Sequence, residues 1–256
     1  MLKVYVSTFN KKCYNLMPYM VPIEVGAAGR SEFLYDLHDD SGDNISEKNE
    51  YYGELTGLYW IWKNSDLQPE DYIGFYHYNK HFDLNESEIT SKMKDNDFIV
   101  LYNKVEKFIS LRHNQRFYDQ VAEEYCPDFY RFFKEAIQPT DIDNLYTSGG
   151  NMMITTKKNF DEYYSFLFPM LDRLKELTGE DDSSPYYKRY IAFFAEQAFL
   201  PYLKYKNYRF ASAKIKFVGP FSWKVNTFLI RVINKLLPFD FAQKHDMYIR
   251  RSSFKK

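Results

Sequence analysis

The stretch Asp39–Phe82 decides the fold: it reads DDSGDNISEKNEYYGELTGLYWIWKN, then a short linker, then DYIGFYHYNKHF. It joins a polar loop, an amphipathic helix and an apolar strand that ends in His77 and Tyr78. In an open α/β sheet, ligands bind beyond the carboxyl ends of the parallel strands. The order of these segments therefore predicts an α/β domain with a ligand site at the end of this strand.

The helix and the strand in this stretch are predicted from the spacing of apolar residues. The helix covers Glu54–Lys63, and its apolar stripe repeats every three or four residues, at Leu55, Leu58, Tyr59 and Trp62. The strand Asp71–Tyr76 is apolar on both faces, which is typical of the middle of a parallel sheet. Further elements are strands over Lys3–Thr8, Tyr19–Val25 (at a sheet edge because of Pro22) and Asp97–Tyr102, and a helix over Tyr186–Leu203.

Polar side chains collect at two of the predicted strand ends. At the first, Thr8 to Asn10, a nucleotide site and an ordinary turn explain the sequence equally well. At the second, two imidazoles, an amine, an amide and a phenol follow one another over His77–His81. These are more functional groups than a turn requires, so we favour ligand contact over a purely structural role there.

Two loops rich in small polar residues could bring backbone N–H groups to a ligand. The loop Asp39–Asn49 is typical of turns and helix starts, where a phosphate or a ribose could bind, but a plain capped loop would look similar. Before a later strand, the paired glycines Gly149 and Gly150 and the following Asn151 allow close backbone approach to a ligand, or merely form a turn.

One carboxylate, Glu196, follows a long aromatic run in the predicted helix Tyr186–Leu203. Apolar surroundings raise the pKa of a carboxyl group, which makes Glu196 a candidate general base. A surface glutamate on a helix is the competing interpretation.

Composition bounds the compartment and the class of protein. The two cysteines, Cys13 and Cys126, lie far apart, which indicates reduced thiols rather than a disulfide framework or a zinc site. The start of the chain is too short and strand-like for a secretion signal, and no apolar run approaches the roughly 20 residues of a membrane span. Aromatic residues form 20% of the chain. They suit carbohydrate faces but also simply fill cores.

Charge is distributed unevenly along the chain. Residues 204–256 carry 13 lysines and arginines against two acids, although the net charge of the whole chain is −1. Within them, Trp223–Phe239 repeats apolar residues at steps of four between basic ones, which predicts a basic amphipathic helix suited to an anionic membrane surface. Packing on the domain itself is the competing account. No nucleic-acid-binding module accompanies the tail, so we expect no nucleic-acid partner. We therefore divide the chain into a domain, 1–203, and a basic extension, 204–256.

Four strings in the sequence resemble a known family: DNISEKN at Asp43–Asn49, ELTGLYWIWKN at Glu54–Asn64, YIGFYHY at Tyr72–Tyr78 and AEQAF at Ala195–Phe199. They resemble the bacterial capsular and exopolysaccharide biosynthesis family, long catalogued as a domain of unknown function and now classed with glycosyltransferases. The resemblance covers roughly Val4–Leu203, and its second string is highly specific because it combines mixed chemistry over many residues.

The resemblance implies a GT-A-like fold, a Rossmann-type mixed sheet flanked by helices, here with a basic amphipathic helical C-terminal tail. It implies a nucleotide-diphosphate-sugar transferase, and some members are thought to transfer galactofuranose from UDP. Such enzymes carry Asp-x-Asp at the central strand end to hold Mn²⁺ or Mg²⁺ on the diphosphate, whereas this chain has His77-Tyr78-Asn79 there. No residue is therefore assigned to a metal. The family pattern is His-Tyr-Arg-Arg-Tyr-Phe, whereas this chain has His-Tyr-Asn-Lys-His-Phe at residues 77–82. Both arginines are replaced, so Lys80 would carry the positive charge at this strand end alone.

On this basis we predict hexosyl transfer with inversion and with Glu196 as the catalytic base. The predicted donor-binding residues are Thr8, Asn10, Asp43, Asn44, Ser46, Asn49, Glu54, Lys63, His77, Tyr78, Lys80, Gly150 and Asn151. The predicted acceptor is a lipid-linked saccharide of capsular, exopolysaccharide or O-antigen synthesis. We expect a cytoplasmic protein held by its tail at the inner face of the plasma membrane. The alternative is a non-catalytic carbohydrate- or membrane-binding module on the same fold, which the two missing arginines support.

Overall fold

The computed structural model of the chain describes residues 1–101, 103–104, 115–137, 146–147, 151–179 and 187–220. Its strands are β1 Leu2–Thr8, β2 Met20–Glu24, β3 Tyr72–His77, β4 Lys80–Phe82, β5 Phe98–Val100, β6 Asn103–Lys104, β7 Tyr146–Thr147, β8 Met153–Thr156, β9 Phe210–Ser212 and β10 Ile215–Phe217. Its helices are α1 Asn49–Tyr52, α2 Leu55–Asn64, α3 Glu86–Asp95, α4 Gln115–Tyr125, α5 Pro127–Ile137, α6 Lys157–Thr178 and α7 Tyr190–Tyr205, with 3₁₀ turns at Ser46–Lys48 and Tyr187–Arg189. Gly150 and the tail helix predicted over Trp223–Phe239 lie outside the described residues.

The sheet is built around β3, whose residues are apolar on both faces. Ile73 and Phe75 point into one core and Tyr76 into the other, and all three are fully buried. β3 pairs in parallel with β1, which pairs in parallel with β2 at the edge. On its other side β3 pairs antiparallel with β8, which continues to β5 and then β9. The sheet is therefore mixed and flanked by helices, which confirms the predicted α/β class.

Helix α2 covers almost the residues predicted for it and packs closely on the sheet. Its Leu55, Leu58 and Ile61 are fully buried. Gly57 lies so close to β2 that a Cβ at this position would come within 2.6 Å of Val25 Cγ1. The absence of a side chain at Gly57 therefore lets the helix pack closely against Val25, which directly follows β2.

Helices α6 and α7 enclose an aromatic core against the same face of the sheet. The largest fully buried side chains of the described residues are tyrosines and phenylalanines, among them Tyr163, Tyr164 and Tyr202. The rings of Tyr163 and Tyr202 meet at 4.9 Å. Many aromatic residues of the described ranges therefore fill the core, as the simpler interpretation of the composition proposes.

The sheet continues beyond residue 203, where we placed the start of the extension. β9 pairs with β5, and β10 pairs antiparallel with β4, which forms a hairpin with β3. Basic residues of this region form ion pairs with acids of the domain. Lys206 Nζ lies 2.6 Å from Glu162, and Lys216 Nζ lies 3.5 Å from Asp83. Residues 204–220 therefore pack with the domain, and part of the positive charge counted in the extension is neutralised within it.

Of the helices in the described part of the chain, none combines the length and the apolar character that crossing a membrane requires.

Candidate functional site

The carboxyl ends of β1 and β3 form one edge of the sheet, and β8 starts at the same edge. β8 runs antiparallel to β3, with Met153 opposite Phe75. Continuing this register by two residues brings Asn151 level with His77. Two polar residues that are far apart in the sequence therefore meet at the strand end where the sequence predicts a ligand site.

Glu54 lies between these two residues. Its Oε2 is 3.3 Å from His77 Nδ1, and its Oε1 accepts a hydrogen bond of 3.1 Å from Asn151 Nδ2. The side chains of His77 and Glu54 remain 16% and 13% exposed. Because Glu54 is the N-cap residue of α2, the packing of that helix fixes its position. We call these three residues the Glu54 cluster; in it, one carboxylate orients an imidazole and an amide.

Asn151 is held in a demanding conformation. It is fully buried, and its φ of +53° lies in the left-handed region, which asparagine tolerates better than most residues. Its Oδ1 has no hydrogen-bond partner within the described part of the chain. A buried amide oxygen without a partner costs stability, and such groups are often found at functional sites.

The polar loop at this edge is held together by its own side chains. The fully buried carboxylate of Asp39 accepts hydrogen bonds from the backbone N–H groups of Gly26 and Ala27, each at 3.0 Å. The hydroxyl of Ser46 also donates to Asp39, and it accepts from the N–H of Ala28 at 3.0 Å. Ser46, a predicted donor-binding residue, therefore joins this loop to the turn that follows β2.

The other predicted donor-binding residues of the loop also have partners within the protein. Asp43 accepts a hydrogen bond from the hydroxyl of Tyr59 at 3.0 Å, and Asn44 donates to the carbonyl of Gly42 at 3.0 Å. The amide of Asn49 donates to the carbonyl of Gly53 at 2.7 Å. The contact between Asp43 and Tyr59 fastens the loop to α2, and donor binding by these side chains stays a prediction.

The end of β1 presents an aromatic ring that the sequence did not single out. The Thr8 hydroxyl donates to the carbonyl of Lys11 at 2.6 Å, and Asn10 adopts a φ of +50°, so the two predicted residues shape a tight turn. Between them Phe9 is 47% exposed, and the guanidinium carbon of Arg30 lies 5.4 Å from its ring centroid. Arg30 is in turn held by the buried carboxylate of Glu24 at 2.6 Å. An exposed, supported ring at a strand end is suited to stacking against a flat ligand.

Comparison with known proteins identifies the family. Residues 3–207 match the model of the family described as "Domain of unknown function (DUF4422)". The chain belongs to this family. The match covers nearly the same residues as the resemblance noted in the sequence. The curated proteins contain no match to this DUF4422 chain.

The fold of this DUF4422 chain is also similar to a solved structure. The apo structure of the WbbM bifunctional glycosyltransferase superposes with a TM-score of 0.73 at 24% sequence identity. The alignment covers 86% of this chain and 45% of that one, so this chain spans less than half the length of that protein. At this identity the likeness establishes the fold.

The remaining predicted residues of this DUF4422 chain lie at different distances from the Glu54 cluster. Lys63 is at the other end of α2, about 13 Å from Glu54 along the helix axis, and its Nζ lies 3.6 Å from the ring centroid of Trp62. Tyr78 and Lys80 are half-buried in the hairpin between β3 and β4. Glu196 is half-buried on α7. Gly150 lies outside the described residues.

His81 does not face this edge, although we expected the whole segment His77–His81 to contact a ligand. It is fully buried, and its ring stacks on Tyr76 at a centroid distance of 5.4 Å. Burial, together with the positive charges of Lys216 and His77, lowers the pKa of His81 from 6.5 to about 4. His81 is therefore a neutral core residue at physiological pH.

Arg189 is a second residue that sequence reasoning missed. It directly precedes α7, and its Nη2 lies 2.7 Å from the position that a Cβ on Gly53 would occupy. Because Gly53 is bonded to Glu54, the guanidinium lies at the residue that precedes the carboxylate of the Glu54 cluster. In the described ranges, no group of three His, Cys, Asp or Glu side chains is arranged to hold a metal ion.

Proposed function

We propose that this chain is a glycosyltransferase that moves a hexose from a nucleotide-diphosphate sugar to a lipid-linked saccharide. The donor we favour is UDP-linked, and galactofuranose is the sugar to test first, in capsular, exopolysaccharide or O-antigen synthesis. The observation that carries the proposal is the Glu54 cluster. It places a carboxylate, an imidazole and a buried amide at the carboxyl end of the central strand, on a fold shared with a glycosyltransferase.

The proposed reaction is a single displacement at the anomeric carbon. The bond between the acceptor oxygen and this carbon forms as the bond to the diphosphate oxygen breaks, and the nucleoside diphosphate leaves. The carboxylate of Glu196 takes the proton of the acceptor hydroxyl, which implies inversion. His77 and Lys80 stabilise the negative charge that develops on the leaving group, and Glu54 holds His77 in position.

Phe9 and the turn around it are proposed to contact the nucleoside. The exposed ring of Phe9 offers a face for a nucleobase, and the Thr8–Lys11 hydrogen bond holds the ring in place. In this proposal the tail of the chain binds the anionic inner face of the plasma membrane, where a lipid-linked acceptor would be available.

Two measurements test this proposal. Thermal shift with UDP, GDP, CMP and their sugars, with and without Mn²⁺, should show stabilisation by one nucleotide class. Product analysis by mass spectrometry with a lipid-linked acceptor extract should then detect transfer from the matching sugar. Glu196→Gln should abolish transfer and keep donor affinity, whereas Glu176→Gln, on the exposed face of α6, should behave like the wild type.

Each outcome separates the transferase from the alternative. Stabilisation by none of the nucleotides, with or without Mn²⁺, would favour the non-catalytic binding module. Unchanged transfer by Glu196→Gln would remove Glu196 from the mechanism while leaving the transferase assignment in place.

A further inference from the structure

The guanidinium of Arg189 lies against Gly53. Three of its atoms, Nη2, Nε and Cζ, lie 2.7, 3.3 and 3.4 Å from the position where a Cβ on Gly53 would be. Gly53 also has a φ of +55°, in the left-handed region. The backbone conformation therefore favours glycine at this position, and a Cβ there would displace the guanidinium. Arg189 therefore lies against the residue that directly precedes Glu54.

Arg189 is held by packing but not by an opposite charge. Its neighbour Lys188 forms an ion pair with Glu50 at 2.8 Å. By contrast, Arg189 forms neither an ion pair nor a hydrogen bond in the part of the chain that the structure describes, and its side chain is exposed. A guanidinium in this state presents several N–H donors in a planar fork, the geometry that binds carboxylate and phosphate oxygens in pairs.

A diphosphate at this edge needs such a donor. The strand end offers Asn79 and Lys80 but no arginine. Lys80 can act only as a point charge, whereas an arginine can form two parallel hydrogen bonds to one phosphate. Arg189 comes from a different element, the 3₁₀ turn before α7, and its guanidinium lies against Gly53, the residue next to Glu54.

We infer that Arg189 is a further binding residue of this site, and that its guanidinium holds the diphosphate of the donor through paired hydrogen bonds. The identity of the anion as a donor diphosphate rests on the proposed function. The position of Arg189 beside the Glu54 cluster does not depend on it.

Inorganic pyrophosphate is the most direct probe, because it carries the diphosphate charge without nucleoside or sugar. Isothermal titration calorimetry on the full chain should show that Arg189→Gln binds pyrophosphate about 10- to 100-fold more weakly than the wild type. Arg189→Lys should lie between the two, because it keeps the charge and loses the fork. Lys188→Gln is the matched control, since its lysine is already paired with Glu50, and it should keep wild-type affinity.

UDP and uridine separate a phosphate contact from a structural effect. Arg189→Gln should weaken UDP by a factor similar to that for pyrophosphate and leave the affinity for uridine unchanged. The inference is overturned if the wild type does not bind pyrophosphate, if Arg189→Gln binds it as the wild type does, or if uridine and UDP are weakened equally.

Failure of this inference and failure of the proposed function give different results. A wild type that binds pyrophosphate through Arg189 but transfers no sugar refutes the transferase and leaves the anion site. A protein that transfers sugar while Arg189→Gln keeps wild-type affinity for pyrophosphate refutes the role of Arg189 alone.

Discussion

His81 is buried where β4 meets β10, and acidification should destabilise the protein through this residue. The imidazole is fully buried, and neither ring nitrogen has a hydrogen-bond partner within the described residues. The groups that face it are the ring of Tyr76 on β3, the charge of Lys216 on β10, and His77. The charges of Lys216 and His77 disfavour a protonated imidazole, and burial is the largest cause of its low pKa.

The size of the effect follows from the pKa. In the folded protein the pKa of His81 is lowered from 6.5 to about 4, so between these pH values the unfolded chain binds the proton and the folded chain does not. Stability contributed by His81 is therefore complete above pH 6.5 and is lost as the pH falls towards 4. The loss amounts to about 3 kcal/mol, since each pH unit in this window corresponds to about 1.4 kcal/mol.

Urea unfolding between pH 4 and pH 8 measures this contribution. His81→Phe keeps a ring against Tyr76 and removes the titrating group. Between pH 8 and pH 4 the unfolding free energy of the variant should therefore fall by about 3 kcal/mol less than that of the wild type. Phe82→Leu is the control: it removes buried volume next to His81 and should lower stability at every pH while keeping the wild-type slope. Identical slopes for the wild type and His81→Phe would refute the reasoning.

Three further predictions follow from the same structure. Gly53→Ala should lower the free energy of unfolding by about 1–2 kcal/mol because its φ is +55°, and it should also displace Arg189 and weaken pyrophosphate binding. Gly29→Ala is the control: its φ is +76° and no atom lies within 4 Å of the added Cβ, so it should lose stability and keep its pyrophosphate affinity. Equal pyrophosphate affinities of the two variants would contradict the contact between Gly53 and Arg189. Asp39→Ala should lower the free energy of unfolding in urea by about 3 kcal/mol, because three donors lose a buried acceptor. Asp43 is exposed, so Asp43→Ala should lower it by less than about 1 kcal/mol. Similar losses of stability in both variants would contradict this prediction. Truncation after residue 220 keeps β10 in the sheet and should abolish sedimentation with anionic liposomes, and undiminished binding would exclude the tail as the membrane contact.

The elements that position the site could be predicted because their signals are local. The spacing of apolar residues in α2 and the apolar run of β3 each lie within one short segment, and the structure reproduces both. The edge position of β2 follows from Pro22, which has no N–H to donate. Periodicity and backbone chemistry are sufficient for such features.

The Glu54 cluster could be predicted only in part, because its contacts depend on strand register. Glu54 and Asn151 are 97 residues apart in the sequence, and no local pattern states that β8 lies antiparallel to β3. Arg189 gave no signal for the same reason, since its contact with Gly53 depends on how α7 packs. An arginine before an aromatic helix looks like an ordinary surface residue.

His81 and the polar loop show the limit of reasoning from residue type. The sequence places His81 four residues from His77, yet the β3–β4 hairpin turns it into the core. The loop residues Ser46 and Asn49 have the chemistry to bind a phosphate, but their hydrogen bonds go to the protein itself. Composition identifies which groups are available, and only the packing shows which of them are already used.

The most direct test of the central claim is a crystal structure of the full chain with UDP bound. We expect the diphosphate at the carboxyl edge of β3, with its oxygens within hydrogen-bonding distance, about 3 Å, of His77 and Arg189. A diphosphate bound elsewhere on the protein, with the Glu54 cluster closed to the ligand, would contradict the account.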